Sequence, residues 1–264
     1  MAINLDQIKL LHQQLNENKG GEFTNNFLQI PEGTKEKPFT LVRLLPSKDE
    51  DVPFFTRTSF HRFEKAGPEG RDLTFHCNKI HNEQCPLCDL YFSTWAHVRD
   101  IESDKSLQKK HPLAQFANYL RAKDRFYFNV LERGTDEIKI LSCGIQLFNR
   151  IVETISDPDY GDITDVQTGF DFKIIKGSNG GYPSYTSSAP RPKSEPLASS
   201  KKRIEEILDS QHDISEMVKK HEYEELKQAA MNFNPLNTVE RKAPTEAEDT
   251  KTENFDKRME SLDA

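Results

Sequence analysis

The chain has 264 residues, with 36 Lys and Arg against 43 Asp and Glu and a formal net charge of −7. That length predicts one large domain or a domain with appendages. Apolar residues make up 35%, which even with the 12 glycines added falls below the roughly 45–50% of an average globular chain, so some segments stay solvated. No stretch nears the roughly 18 apolar residues of a membrane span, and residues 1–9 lack the basic start and apolar run of a secretory leader. The expectation is a soluble, unexported protein, whose four cysteines then point to metal or redox chemistry rather than disulfides.

Residues 201–264 hold 11 of the Lys and Arg and 16 of the Asp and Glu, so the body before them is nearly neutral. Residues 105–133 are the one basic, aromatic stretch. Lys105, Lys109, Lys110, Arg121, Lys123, Arg125 and Arg133 face only Asp124 and Glu132, interleaved with Tyr119, Phe126, Tyr127 and Phe128.

Asn4 with Gln7, then Ile8, Leu11 and Leu15 on one stripe, predict a short N-terminal helix that Gly20-Gly21 stops. The runs 41–45, 126–131, 137–141 and 170–176 are β-branched or aromatic and bounded by turn residues, which predicts strands. Leu147, Phe148, Ile151, Val152 and Ile155 recur at helical spacing and end at Asp157-Pro158, predicting a helix between strands. The Gly, Ser and Pro content of 177–200 predicts a mobile loop carrying Tyr182 and Tyr185. Two amphipathic helices follow, broken near Asp213, and after Pro235 the sequence predicts a disordered acidic tail.

The strongest local signal is Cys77, Cys85 and Cys88, spaced C-x7-C-x2-C. Three thiolates with one imidazole suit a single tetrahedral Zn²⁺. The chain before them reads as two strands, 54–63 and 71–77, so His61 can fold back beside Cys77 as the fourth ligand. His81 is the rival, through C-x3-H-x3-C-x2-C. His76 is disfavoured because adjacent strand residues point to opposite faces. A closed Cys3His set leaves no position for water, so the zinc is expected to be structural. Without a phosphate loop, nucleophile elbow or HExxH, no enzymatic activity is expected.

Several blocks resemble the single-stranded DNA-binding, helix-destabilising proteins of T-even-like bacteriophages. They are Val42-Arg43-Leu44-Leu45-Pro46-Ser47-Lys48 with Pro53-Phe54, then His61 upstream of Cys77 and Cys85-Pro86-Leu87-Cys88, then Arg121–Val130. Phe148-Asn149-Arg150-Ile151, Phe172-Lys173-Ile174 with Tyr182 and Tyr185, and Ile214-Ser215-Glu216-Met217 extend the likeness to about residue 235.

The resemblance implies an α+β, mainly β fold: an OB-type five-stranded barrel with an inserted zinc ribbon, flanking helices and an acidic tail. On that frame, 1–21 is an N-terminal helical arm that offers self-association along DNA. Residues 22–235 form the DNA-binding core with its zinc subdomain at about 54–100, and 236–264 form the tail for phage replication and recombination proteins. It further implies sequence-independent binding of single-stranded DNA in replication, recombination and repair, in the cytoplasm of the infected host and without a membrane. Arg43, Arg121, Lys123 and Arg125 would contact phosphates, and Phe126, Tyr127, Tyr182 and Tyr185 would stack on bases. The family's Lys/Arg-rich start ending in Ser-Thr has no counterpart in residues 1–21. The competing expectations are a zinc-ribbon adaptor that docks proteins and a single-stranded RNA binder.

Overall fold

The computed structural model describes residues 26–234, except 36, 50, 65 and 67. The expected N-terminal helix and acidic tail lie outside the described residues. The described chain forms two compact units, 26–60 with 122–220 and 61–121 with 221–234.

The first unit is a mainly antiparallel sheet. Its strands are β1 (Thr40–Leu44), the first part of β2 (Phe55–Phe63), β4 (Lys123–Glu132), β5 (Glu137–Cys143), β6 (Phe170–Ile174) and β9 (Ala189–Ser194). One edge of β4 pairs first with β2, from Phe60↔Lys123 to Phe55↔Phe128, and then with β1, from Leu44↔Val130 to Val42↔Glu132. The other edge pairs with β5, from Phe126↔Cys143 to Glu132↔Glu137. β1 continues to β6 and β6 to the edge strand β9. No pairing among the described residues closes the sheet into a barrel.

Strand alternation decides which side chains are buried. Phe126, Phe128 and Val130 of β4, Val42 and Leu44 of β1, and Phe172 and Ile174 of β6 form one core with Leu147 and Ile151 of the helix Ile145–Ser156. On the opposite parity, Leu45 and Leu131 pack with Leu197, Ile204 and Ile207, the last two from the helix Lys201–Asp209. Asn129 holds the segment after that helix: its amide donates to His212 O at 2.9 Å and accepts the His212 N–H at 3.0 Å.

The expected mobile loop at 177–200 is corrected to ordered strands. β7 (Gly177–Asn179) and β8 (Tyr182–Ser184) pair across Gly180-Gly181, whose φ of 57° and 80° fit the two left-handed positions of a tight hairpin turn. β9 tolerates Pro190 and Pro192 because it lies at the sheet edge. The expected pair of C-terminal helices also differs. The helix Lys201–Asp209 is followed by a 3₁₀ turn at Ile214–Met217, capped by Asp213 through Ser215 N–H, and then by the helix Tyr223–Asn232.

The second unit takes the end of β2 with its neighbour β3 (Leu73–His76), then α1 (Pro86–Ile101), α2 (Lys105–Lys110) and α3 (Pro112–Leu120). Numbered after these, Ile145–Ser156 is α4, Lys201–Asp209 is α5 and Tyr223–Asn232 is α6. α6 packs on α1 and buries Leu226 and Ala229. The basic stretch 105–133 is therefore two helices and a strand, with Asp104 capping α2 through the N–H groups of Ser106 and Leu107.

Candidate metal centre and nucleic-acid interface

His61, Cys77, Cys85 and Cys88 are all buried, with their ligand atoms within 4.8 Å of one another. β2 supplies His61. Cys77 follows β3 and leads into a 3₁₀ turn, Asn78–His81, that ends on Asn82 in the left-handed region at φ 59°. Asn tolerates that conformation, and Glu83 N–H closes the turn on Asn78 O at 3.2 Å, bringing the chain back toward Cys85. Cys85 is the N-cap of α1, Pro86 takes its first position, and Cys88 lies one turn on. Both sulfurs thus stand at a helix N-terminus, and the Cys88 N–H helps hold Cys85 as thiolate.

The spacings fit a tetrahedral ion. Cys77 Sγ lies 3.5 Å from Cys88 Sγ, and His61 Nε2 lies 3.4 Å from Cys85 Sγ and 3.7 Å from Cys88 Sγ. Zinc bonds of about 2.3 Å to sulfur and about 2.0 Å to nitrogen give ligand-to-ligand edges of about 3.5–3.8 Å. His61 Nδ1 lies 2.6 Å from Leu120 O, an acceptor only, so Nδ1 holds the proton and Nε2 is left to face the sulfurs.

The electrostatics ask for a cation. Burial pushes the His61 imidazole down, but hydrogen bonds with the Cys77 and Cys85 sulfurs outweigh it and carry it to about 9. Hydrogen bonds with Cys77 and Cys88 pull the Cys85 thiol down against burial. Bonds with the Cys77 and Cys85 sulfurs, with burial, push the Cys88 thiol up, because a second thiolate would face the first; a divalent ion would remove that repulsion. The group can hold one metal ion. His76 ends β3 and His81 ends the 3₁₀ turn, and neither belongs to it.

On the first unit, β4 sorts the remaining expected site residues by parity. Phe126 faces the core, is 3% exposed and stacks on Phe148, with centroids 3.6 Å apart at 11°. The expected base-stacking role of Phe126 is corrected: its ring is packed between sheet and α4.

Arg125 and Tyr127 take the other parity. Burial pushes the Tyr127 phenol up, opposed by the Arg125 charge and a bond from Ser142; burial likewise raises Tyr185, opposed by the same arginine. The Arg125 charge is felt at both phenols, while the Tyr185 ring packs against the core around Phe126 and Phe128. The hairpin carries Tyr182, which is 78% exposed, and positions Tyr185, whose N–H donates to Gln146 Oε1 at 2.6 Å. Lys123 is exposed at the start of β4, and Arg121 is exposed after α3 in the second unit.

Arg43 is corrected as a phosphate contact. Its side chain is fully buried, donating from Nε to Asp171 Oδ1 at 2.9 Å and from Nη2 to Glu195 O at 2.6 Å. Arg133 grips the same carboxylate at 2.9 Å and donates to Leu197 O at 2.8 Å. Alternation puts Arg43 between the core residues Val42 and Leu44, but only the fold reveals the carboxylate 128 residues away that neutralises it.

Two polar residues near these positions went unread in the sequence. Arg57 pairs with Asp124 at 3.0 Å, neutralising the one carboxylate between Lys123 and Arg125. Gln146 anchors the chain at Tyr185. The Thr56-Arg57-Thr58 alternation hints at the first; no local signal marks the second.

Aromatic rings beside cations are the equipment of a nucleic-acid-binding protein. A family model described as gp32 DNA binding protein like matches residues 38–237, and the chain belongs to that family of DNA-binding proteins. These are the proteins that its sequence blocks resemble. A search of curated proteins found no match. No described helix is long and apolar enough to cross a membrane.

Proposed function

We propose that the protein binds single-stranded DNA without sequence preference and serves phage DNA replication, recombination and repair in the infected host cytoplasm. The observation that carries this reading is the DNA-binding family match over residues 38–237, supported by Lys123, Arg125 and Tyr127 on one parity of β4 and by the exposed ring of Tyr182. Bases stack on such rings at about 1–3 kcal/mol each, while Lys and Arg follow the phosphates; a duplex hides the base faces this chemistry uses. Arg121, exposed after α3, is a further phosphate contact in this reading.

His61, Cys77, Cys85 and Cys88 hold one zinc ion with a structural role, supported by the closed, buried donor set. The antiparallel pairing through β4 supports an OB-type five-stranded core. The C-terminal tail, which lies almost wholly past the matched residues 38–237, would recruit replication and recombination proteins through its acidic side chains.

Titration with poly(dT) at several salt concentrations tests the function. Affinity falls with a slope of about −0.7 in log salt per phosphate neutralised, and Arg125→Ala lowers both affinity and slope. Absence of oligonucleotide binding by zinc-loaded protein overturns the reading in favour of a protein-docking adaptor. Equal or tighter binding of a matched RNA strand assigns the groove to RNA.

A further inference from the structure

A second aromatic and basic patch lies on β1 and β6. Phe39, just before β1, is 38% exposed. The register Leu41↔Lys173 places Lys173 diagonally across from Phe39, with its Nζ 5.2 Å from the ring centroid. Gly33 N–H donates to Lys176 O, which ties the segment carrying Lys35 and Lys37 to the end of β6. None of these four lysines makes an ion pair among the described residues. Lys37 and Phe39 line a cavity of about 300 Å³ with Gln29 and Glu132, at the small end of ligand pockets and roomy enough for one base.

We propose that this patch is a second contact for the single strand, in which a base stacks on Phe39 while phosphates run over Lys37, Lys173 and Lys176. The inference rests on the single-strand reading above and adds to it a site that Arg125, Tyr127 and Tyr185 do not include. Unpartnered cations would attract any polyanion. The partly exposed Phe39 ring, beside a base-sized cavity, adds a stacking surface that a nucleotide uses and that charge attraction of an acidic peptide does not require.

The test uses the full chain, zinc-loaded, with oligothymidylates of about 4 and about 16 nucleotides, the two ends of the range one OB-type fold covers. Phe39→Leu, which keeps an apolar side chain, and the triple variant Lys37→Ala, Lys173→Ala, Lys176→Ala are compared with wild type after confirming unchanged melting. Supporting results are near-wild-type affinity for the short strand and about tenfold weaker binding of the long one by Phe39→Leu. For the triple variant, the salt slope on the long strand drops by about 2.

Wild-type affinity and slope on the long strand in both variants overturns the inference while leaving single-strand binding intact. Tighter binding of the long strand by the triple variant overturns it in favour of a patch occupied by the chain's own acidic tail. If wild type binds neither strand, the failure belongs to the functional reading itself.

Discussion

The His61 Nδ1–H donates to the Leu120 carbonyl at 2.6 Å, and that one bond fixes both the tautomer and the direction of the imidazole whose Nε2 meets the cysteine sulfurs. A ligand held this way is preorganised by backbone, and an ion bound there would hold the end of β2, the turn after β3 and α1 together.

Metal removal is expected to loosen the second unit. A strong chelator or the variant Cys85→Ser should abolish the zinc content of about one ion per chain measured by elemental analysis. Limited proteolysis should then cut within 61–121 before cutting the sheet of the first unit. An apoprotein with unchanged cleavage would show that the cluster folds without an ion.

Asp171 serves two arginines, so its loss leaves the buried Arg43 and the partly buried Arg133 without that counter-charge. Asp171→Ala should cost about 3–5 kcal/mol in urea unfolding. Gly169→Ala strikes the same region: a Cβ there would stand 2.4 Å from Asp165 O and 2.6 Å from Ile163 O, both backbone atoms. A destabilised Gly169→Ala is expected, and an unchanged midpoint would mean that the loop at 163–169 yields.

Neighbouring aromatic residues should separate into two kinds. Phe126→Ala should lower stability by about 3–5 kcal/mol, because it empties the stack with Phe148. Tyr182→Ala, at an exposed hairpin position, should leave the unfolding midpoint within about 0.5 kcal/mol and weaken DNA binding instead. Parallel denaturation and poly(dT) titration read both effects; a stability loss at Tyr182 without an affinity loss would assign that ring to the fold.

Cys143 gives a pH dependence. Burial pushes its thiol from 9.0 up to about 12, opposed by the Arg125 charge. The folded state therefore holds the proton more tightly, so the contribution is fully present below about pH 9 and is lost as pH rises toward 12. Stability of wild type relative to Cys143→Ala should fall across that window by up to about 4 kcal/mol. A difference that stays flat from pH 8 to 11, about the accessible range, would show that the thiol ionises as readily folded as unfolded.

Cysteine spacing and runs of strand-forming residues carried the three cysteines of the cluster and most of the sheet, because both are local. C-x2-C at a Pro-started helix sets two sulfurs one turn apart, and period-two alternation marks 41–45, 126–131 and 170–176 as strands wherever they pair. Local pattern could not choose between His61 and His81, since the choice rests on β2 folding back and on a carbonyl 59 residues away.

Nor could it tell that Arg43 is buried while Arg125 is available, or that Phe126 is core while Tyr127 is half-exposed. Those outcomes follow from which face of each strand α4 and α5 cover, and from Asp171 arriving from β6 to neutralise Arg43. Residue type states what a side chain can do; the partner that tertiary packing brings to it decides whether it stays free to do so.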